Sequence, residues 1–249
     1  MTEGLHFGHY ADLLQHLEDG SINLFLVDSP YGNTDLAFDK QPVDWAGEFW
    51  PLVRRKLDPN GVVVCFGCER FTFDLMASNW AWYCYRMVWA KSRASRILDA
   101  GWRPLCNHED IVVFSPNIKA ATYNPQMLQT TRNVGRVKRQ DDAFDHYKAS
   151  RGGIYEDTGL RHPTTVLDFG SVATMAPHFN PTVKPVALMQ YLVTLFTNRD
   201  DKVADPFSGD GTVLQACRNT GRYCVSTENN RAQFDWTQAY LAQQAPLFQ

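Results

Sequence analysis

The sequence predicts an α/β protein with a mostly parallel central sheet and helices on both faces, and three observations predict it. Apolar runs of strand length recur along the chain, helix-periodic segments separate them, and two of the runs end in an aspartate followed by turn-forming residues. A chain of 249 residues suffices for one large domain or a domain with an insertion, and 44% hydrophobic with 20% charged residues is a globular composition.

Strands are expected at Ile22–Val27, Val62–Phe66, Tyr83–Trp89, Ile111–Phe114, Val203–Asp205 and Tyr223–Thr227, where β-branched and aromatic residues cluster. Helices are expected at Tyr10–Leu17, Trp45–Leu57, Phe71–Ser78, Pro185–Thr197, Thr212–Thr220 and Arg231–Gln243, from apolar residues at helical spacing. From about Ser115 to Thr165 the rhythm breaks into polar sequence rich in Arg, Lys, Asp and Gly. One domain is therefore expected, organised as residues 1–114, an insertion at 115–165, residues 166–243 and a tail at 244–249.

The longest apolar stretches, such as Ile22–Val27 and Gly61–Phe66, are far too short to span a bilayer. The N-terminus, MTEGLHFGHYADLLQHL, has acidic and polar residues where a signal peptide has a basic start and an apolar core. A cytoplasmic protein with no membrane partner is expected. Of six cysteines only Cys65 and Cys68 have metal-like spacing, with no second pair, so two thiols at a strand end are expected and no metal. Net charge is −3, yet the stretch from Arg86 to Arg139 carries an excess of seven positive charges. A positive middle on an acidic frame is the footprint of a protein that holds a polyanion in one place, the alternative being a solvated loop surface.

Two stretches carry the chemistry. FLVDSPYGNTD, from Phe25 to Asp35, ends an apolar run in Asp28-Ser29-Pro30-Tyr31; taken alone it is an ordinary strand-ending turn. KVADPFSGDGTVLQACRNTGRYCVSTENN, from Lys202 to Asn230, reads as strand, glycine turn, helix and second strand. Gly209 and Gly211 let backbone amides approach a ligand, the helix N-terminus favours an anion, and Glu228 lies 19 residues after Gly209, where an acidic residue grips ribose hydroxyls. Gln215, Ala216 and Cys217 stand where the dinucleotide fingerprint needs its third glycine, which argues against a nicotinamide dehydrogenase.

Asp-Pro-Phe-x-Gly-x-Gly-Thr resembles the S-adenosylmethionine motif of the DNA amino-methyltransferases, and Asp-Ser-Pro-Tyr resembles their catalytic tetrapeptide. The order, with the tetrapeptide first, resembles the permuted beta class. FWPLVRRKLDPNGVVVCFG, VWAKSRASRILDAGWRPLCNHEDIVVFSP, YNPQM and FNPTVKPVALMQYLV resemble further family segments, in a form found in phage and prophage enzymes. The resemblance covers nearly the whole chain and is weakest over Gln126–Arg161.

It implies a Rossmann-like methyltransferase fold, S-adenosylmethionine as cofactor, double-stranded DNA as partner, and methylation of adenine N6 or cytosine N4 after the base leaves the duplex. It places catalysis on Asp28, Ser29, Pro30 and Tyr31. The cofactor falls to His9, Tyr10, Asp28, Lys184, Asp205, Phe207, Ser208, Gly209, Gly211, Thr212 and Glu228. Where the family has Gly-Asp this chain has Gly8-His9, so His9 or Tyr10 is expected at the cofactor's adenine, with Asp12 a nearby alternative. Asp28 at the first tetrapeptide position leans towards adenine N6, while Ser29 leaves cytosine N4 open. More distant alternatives are RNA and protein-amide methylation.

Cytosine C5 enzymes need a thiolate nucleophile, and Cys106 in RPLCNHED lacks their Pro-Cys context, so it is read as structural. His108 and Glu109 are read as supporting the fold near a strand start. Lys91, Arg93 and Arg96 are expected at DNA phosphates, and Arg132, Arg136, Lys138 and Arg139 on a recognition surface. Relatives are often dimers, which makes a second copy a candidate partner. The C-terminal QAPLFQ resembles peptides that dock on the replicative sliding clamp through a Gln-x-x-Leu-Phe core, here Gln244–Phe248; the alternative is a tail packed on the enzyme's own surface.

Overall fold

The computed structural model describes residues 2–32, 37–40, 42–130, 135–139, 153–172 and 178–244. In chain order its elements are β1 (Gly4–Phe7), α1 (Tyr10–Leu14), β2 (Ile22–Val27), α2 (Trp50–Lys56), β3 (Leu57–Gly67), α3 (Glu69–Ser78), β4 (Tyr83–Ser95) and β5 (Cys106–Phe114). There follow β6 (Leu128–Gln129), β7 (Gly135–Arg139), β8 (Gly153–Asp157), β9 (Leu160–Arg161), β10 (Val166–Phe169), α4 (Val186–Phe196), β11 (Lys202–Asp205), α5 (Thr212–Thr220), β12 (Tyr223–Glu228) and α6 (Arg231–Gln243).

Eight strands form the main sheet in the order β1-β12-β11-β2-β3-β5-β4-β10. Seven run in one direction and β5 runs against its neighbours β3 and β4. The carboxyl ends of seven strands therefore meet one edge of the sheet, together with the beginning of β5. The expected mostly parallel sheet is present, with two further strands, β1 and β10, that the sequence does not announce. Each is four residues long and lies at an outer edge, and neither carries a continuous apolar run.

The apolar runs are unbroken because both faces of the sheet are covered. Alternate residues of a strand point to opposite faces. Leu24 and Leu26 of β2 and Val62, Val64 and Phe66 of β3 share one core with Leu188, Leu192, Val213 and Leu214 of α4 and α5. Phe25, Val27, Val63 and Cys65 belong to a second core with Trp50, Val53 and Leu75 of α2 and α3.

The single helix expected at Trp45–Leu57 is divided. It begins as a π-helical turn, Trp45–Phe49, whose start is capped by the Asp44 side chain accepting from the Gly47 amide at 2.8 Å. Pro51 has no amide hydrogen to donate and sits in the first turn of α2, where a helix tolerates it. Leu57 already belongs to β3. The strands expected at Tyr83–Trp89 and Ile111–Phe114 both extend further, forming a hairpin from β4 into β5.

The chain divides into one unit of residues 1–124 and 165–249 and a second, Pro125–Thr164. Ser115–Asn124, placed by the sequence in the insertion, belongs to the first unit; Asn124 donates its amide to the Leu195 carbonyl at 2.8 Å. The second unit contains two antiparallel pairs, β6 with β9 and β7 with β8. Among the described residues no helix is long and apolar enough to cross a membrane.

Phe114 is fully buried, its ring 5.0 Å from Trp50 and 6.3 Å from Tyr83. Phe114→Ala is expected to lower unfolding free energy by about 3–5 kcal/mol in urea denaturation. A loss below about 1 kcal/mol would mean that this face of the sheet is not packed as described.

Candidate active site

The chain leaves β2 towards α2 on one face of the sheet and leaves β11 towards α5 on the other, and β2 and β11 are neighbours. Such a divergence opens a crevice beyond the strand ends, the usual ligand position in open α/β sheets. A cleft of about 710 Å³ lies there. Its lining includes Asp28, Ser29, Pro30 and Tyr31 after β2, Pro206, Phe207 and Gly209 after β11, Glu228 at the end of β12, and Gly8, His9 and Tyr10 after β1. The two landmark stretches of the sequence thus face one space.

At its catalytic end the centre is a network of paired charges. Lys184 Nζ donates to both carboxylate oxygens of Asp28 at 2.8 Å and lies 3.3 Å from Glu109 Oε2. Lys91 Nζ donates to the other Glu109 oxygen at 3.2 Å. The Tyr31 hydroxyl donates to Asp28 Oδ1 at 2.9 Å and lies 3.3 Å from Glu109 Oε2. Burial opposes a charge on Lys184, which is 4% exposed, but Asp28 and Glu109 outweigh it and hold the ammonium above its ordinary range. Burial pushes the Asp28 carboxyl up, against the pull of Lys184 and with the push of Glu109. For Glu109 burial acts upward too, but Lys184 and Lys91 prevail and hold it down.

The turn carrying Tyr31 is fixed from outside the strand. Asp39, 4% exposed, accepts the Tyr31 and Gly32 amides at 2.6 and 2.9 Å. Phe71 stacks on the Tyr31 ring at 5.0 Å and 26°, and the Lys184 ammonium lies 5.5 Å from that ring's centroid.

On the cofactor side, Glu228 Oε2 accepts the Gly209 amide at 3.2 Å, so the acidic residue and the glycine turn read from the sequence are in contact. Burial pushes the Glu228 carboxyl up. Gly211 adopts φ +74°, and a Cβ there would come within 2.9 Å of Thr237 and 3.0 Å of Leu241 on α6, which is why glycine is needed. Tyr10 and Phe207 form an aromatic wall with centroids 5.2 Å apart, and His9 lies 4.5 Å from Tyr10. The Tyr10 hydroxyl donates to Glu48 at 2.7 Å. Ser208 Oγ is buried without a hydrogen-bond partner. A cleft of this size, with an aromatic wall, a glycine turn at the start of α5, a carboxylate beside it and an unmatched hydroxyl, fits a ligand carrying a ring, a ribose and a zwitterionic tail.

Several expected residues act from behind the surface. Asp205 is buried, accepting from Ser226 Oγ at 2.6 Å and from the Phe207 amide at 3.3 Å; burial pushes it up to about 7 despite those bonds. Thr212 opens α5. Lys184, expected at the cofactor, borders the cleft but is bound to Asp28. Lys91, expected at phosphate, lies in the cleft on Glu109, and Arg96 is paired with Glu69 at 2.7 Å. Arg93 is exposed on β4. Arg136, Lys138 and Arg139 lie on β7, while Arg132 and the terminal residues 245–249 of the clamp-like peptide lie outside the described residues.

The sequence did not announce Glu109, Asp39 or Asp210 as site residues. Asp210 accepts the Phe179 and Asn180 amides at 3.1 and 3.0 Å and Gln233 Nε2 at 2.9 Å, tying the loop before α4 to the glycine turn. Its signal was its place between two turn glycines. Asp39 lies in a short 3-10 turn, Ala37–Lys40, with no motif around it.

The raised Asp205 carboxyl sets a sign for pH dependence. The group is neutral in the fold at a pH where it is ionised in the unfolded chain, so its own contribution to folding stability is fullest below pH 3.8 and declines as pH rises towards 7. In unfolding experiments across that window, Asp205→Asn is expected to remove a decline on the order of 3–4 kcal/mol. Parallel profiles for the two proteins would show that Asp205 is ionised in the fold.

Comparison with known proteins places this geometry. The chain is 25% identical over 253 residues to the type II methyltransferase M.HpaI of Haemophilus parainfluenzae, covering 93% of this chain and 71% of that protein. It is 24% identical over 229 residues to the DNA adenine methyltransferase YhdJ of Escherichia coli, covering 87% and 75%. Among solved structures, the cytosine-N4-specific PvuII DNA methyltransferase matches with a TM-score of 0.67 at 16% identity, over 100% of this chain and 89% of that one. The M1.HpyAVI complex with S-adenosylmethionine matches with 0.63 at 20% identity, over 97% and 99%. These likenesses establish the Rossmann-like methyltransferase fold. The family model described as DNA methylase matches residues 22–239, and the chain belongs to that family of N6 and N4 amino-methyltransferases.

Proposed function

We propose that this DNA methyltransferase transfers the methyl group of S-adenosylmethionine to the N6 amino group of an adenine swung out of double-stranded DNA. One observation carries the reading: both oxygens of Asp28 already hold a nitrogen donor, the Lys184 ammonium, at 2.8 Å. An exocyclic amino group presents the same chemistry to the same acceptor.

The amino nitrogen of a base is a poor nucleophile because its lone pair is delocalised into the ring. Hydrogen bonds from its two hydrogens to Asp28 and to the backbone carbonyl of Ser29 or Pro30 favour the pyramidal form and free the pair. Pro30 stiffens that turn, and Tyr31 offers its ring to the extruded base. Lys184 gives way as the base arrives, and Glu109, which already shares it, keeps its charge matched. The bound donor supplies an activated methyl group on a sulfonium, so the protein's task is positioning and water exclusion. Phe207, Tyr10, His9, the Gly209–Gly211 turn, Ser208 and Glu228 are the residues proposed to hold it. No covalent enzyme intermediate is needed.

Cytosine N4 is the second reading, favoured by Ser29 in the tetrapeptide. Mass spectrometry of nucleosides from DNA treated with enzyme and cofactor decides: N6-methyladenine is expected, and N4-methylcytosine would replace the adenine assignment. Asp28→Asn, which keeps an acceptor oxygen beside Lys184, is expected to reduce methyl transfer at least ~100-fold; wild-type turnover in that variant would remove the Asp28 carboxylate from catalysis.

The pH profile tests the charge network. Asp28 is an acceptor at both oxygens only when ionised, and Lys184, Glu109 and Tyr31 face it. Removing the cation leaves burial and Glu109, both of which favour the neutral acid. Lys184→Met is therefore expected to move the acid limb of the kcat/KM profile, which reports the free enzyme, to higher pH. An unmoved limb would show that ionisation of Asp28 does not govern it.

A further inference from the structure

The hairpin between β4 and β5 rises at the mouth of the cleft, and its tip is apolar where exposure is greatest. Ser95, Arg96, Cys106 and His108 at its base line the cleft. Beyond them Ile97 is 72%, Leu98 98% and Trp102 74% exposed. Leu98 follows Arg96 by two residues, so its Cα lies within about 7 Å of a residue that borders the cleft.

The tip is held in shape. Ile97–Asp99 forms a 3-10 turn, with the Asp99 amide donating to the Arg96 carbonyl at 3.0 Å and the Trp102 amide to the Asp99 carbonyl at 3.0 Å. One carboxylate, Glu69, clamps both flanks, Arg96 at 2.7 Å and Arg103 at 2.6 Å. Arg96 sits at φ 62°, a left-handed conformation that disfavours a side chain and persists where surrounding contacts hold it.

A fixed turn that exposes large apolar side chains implies a partner that buries them. The charge around the tip states what kind. Around the tip Arg93, Arg96 and Arg103 outnumber the acids Asp99 and Glu69, and the stretch from Arg86 to Arg139 carries an excess of seven positive charges. The fitting partner is anionic outside and apolar within, which describes a duplex whose base stack has been opened.

We propose that this tip, with Leu98 at its end, enters the DNA base stack and fills the gap left when the target base swings into the cleft. The proposal rests on the base-flipping methyltransferase reading. Extruding a base costs a few kcal/mol in lost stacking and pairing, and an inserted apolar wedge recovers part of it. Leu98 makes no core contact that its loss would disturb, so it acts on the open state of the DNA.

The test uses the full chain and a duplex carrying the modified sequence identified by single-base sequencing, with 2-aminopurine at the target position. Wild-type enzyme is expected to raise 2-aminopurine fluorescence on binding. Leu98→Ala is expected to lose most of that rise and to lower kcat/KM on the normal duplex about 10-fold or more. A duplex with the target base opposite an abasic site should restore the variant to near wild-type rate. Unchanged fluorescence and rate in Leu98→Ala would overturn the proposal, as would a loss that persists on the unpaired target. A change of oligomeric state by light scattering with unaltered flipping would assign the tip to a second copy and overturn it as well. Methyl transfer by the wild type on the normal duplex, with adenine at the target position, tests the underlying reading separately: its absence would sink that reading, whereas the tip stands or falls on the difference between variant and wild type.

Discussion

Burying the Lys184 ammonium is the constraint around which the catalytic half of the molecule is arranged. A charge removed from water at this depth is sustainable only with close counter-charges, and removing one partner of such a pair is far more damaging than removing both. Asp28 and Glu109 supply them from the end of β2 and the start of β5, across 156 residues of sequence in the case of Asp28. Two carboxylates around one ammonium would leave an uncompensated negative charge, and Lys91 on β4 neutralises it. The result is a balanced quartet that joins the end of β2, the β4–β5 hairpin and the loop before α4. Tyr31 is oriented by the same two carboxylates that orient the lysine.

The cofactor half is organised by a different device, backbone amides tied to carboxylates. Glu228 holds Gly209, Asp205 holds Phe207, and Asp210 holds Phe179 and Asn180. Burial raises all three carboxyl groups, and the amide hydrogen bonds they accept pull the other way. A turn secured in this way is stiff without bulky side chains, which is what a ligand approaching backbone amides requires.

The direction of β5 explains why part of the catalytic network is hard to foresee. In a parallel sheet the chemistry gathers at the carboxyl ends of strands, where Asp28 and Asp205 stand. β5 runs the other way, so its beginning reaches the same edge, with Glu109 placed opposite Trp89 of β4 and one residue before the Asp110–Gly67 pair. A residue dismissed as support near a strand start is thereby brought within reach of Tyr31 and two lysines. Strand direction is a pairing property and leaves no mark in local composition.

The sequence by itself determined the alternation of strands and helices, the two apolar cores implied by unbroken runs, and the positions of both landmark turns. These follow from local causes: side-chain periodicity, glycine and proline conformational limits, and a carboxylate at each strand end. Tertiary structure decided which charges meet. Lys184 was expected at the cofactor and lies on Asp28; Lys91 was expected at phosphate and lies on Glu109; Asp39 gave no sign of fixing Tyr31. Ion pairs between distant segments depend on the register and direction of strands and on how far each group is buried. These are properties of the assembled sheet, because a charge has no preferred partner until folding excludes the water that would otherwise satisfy it.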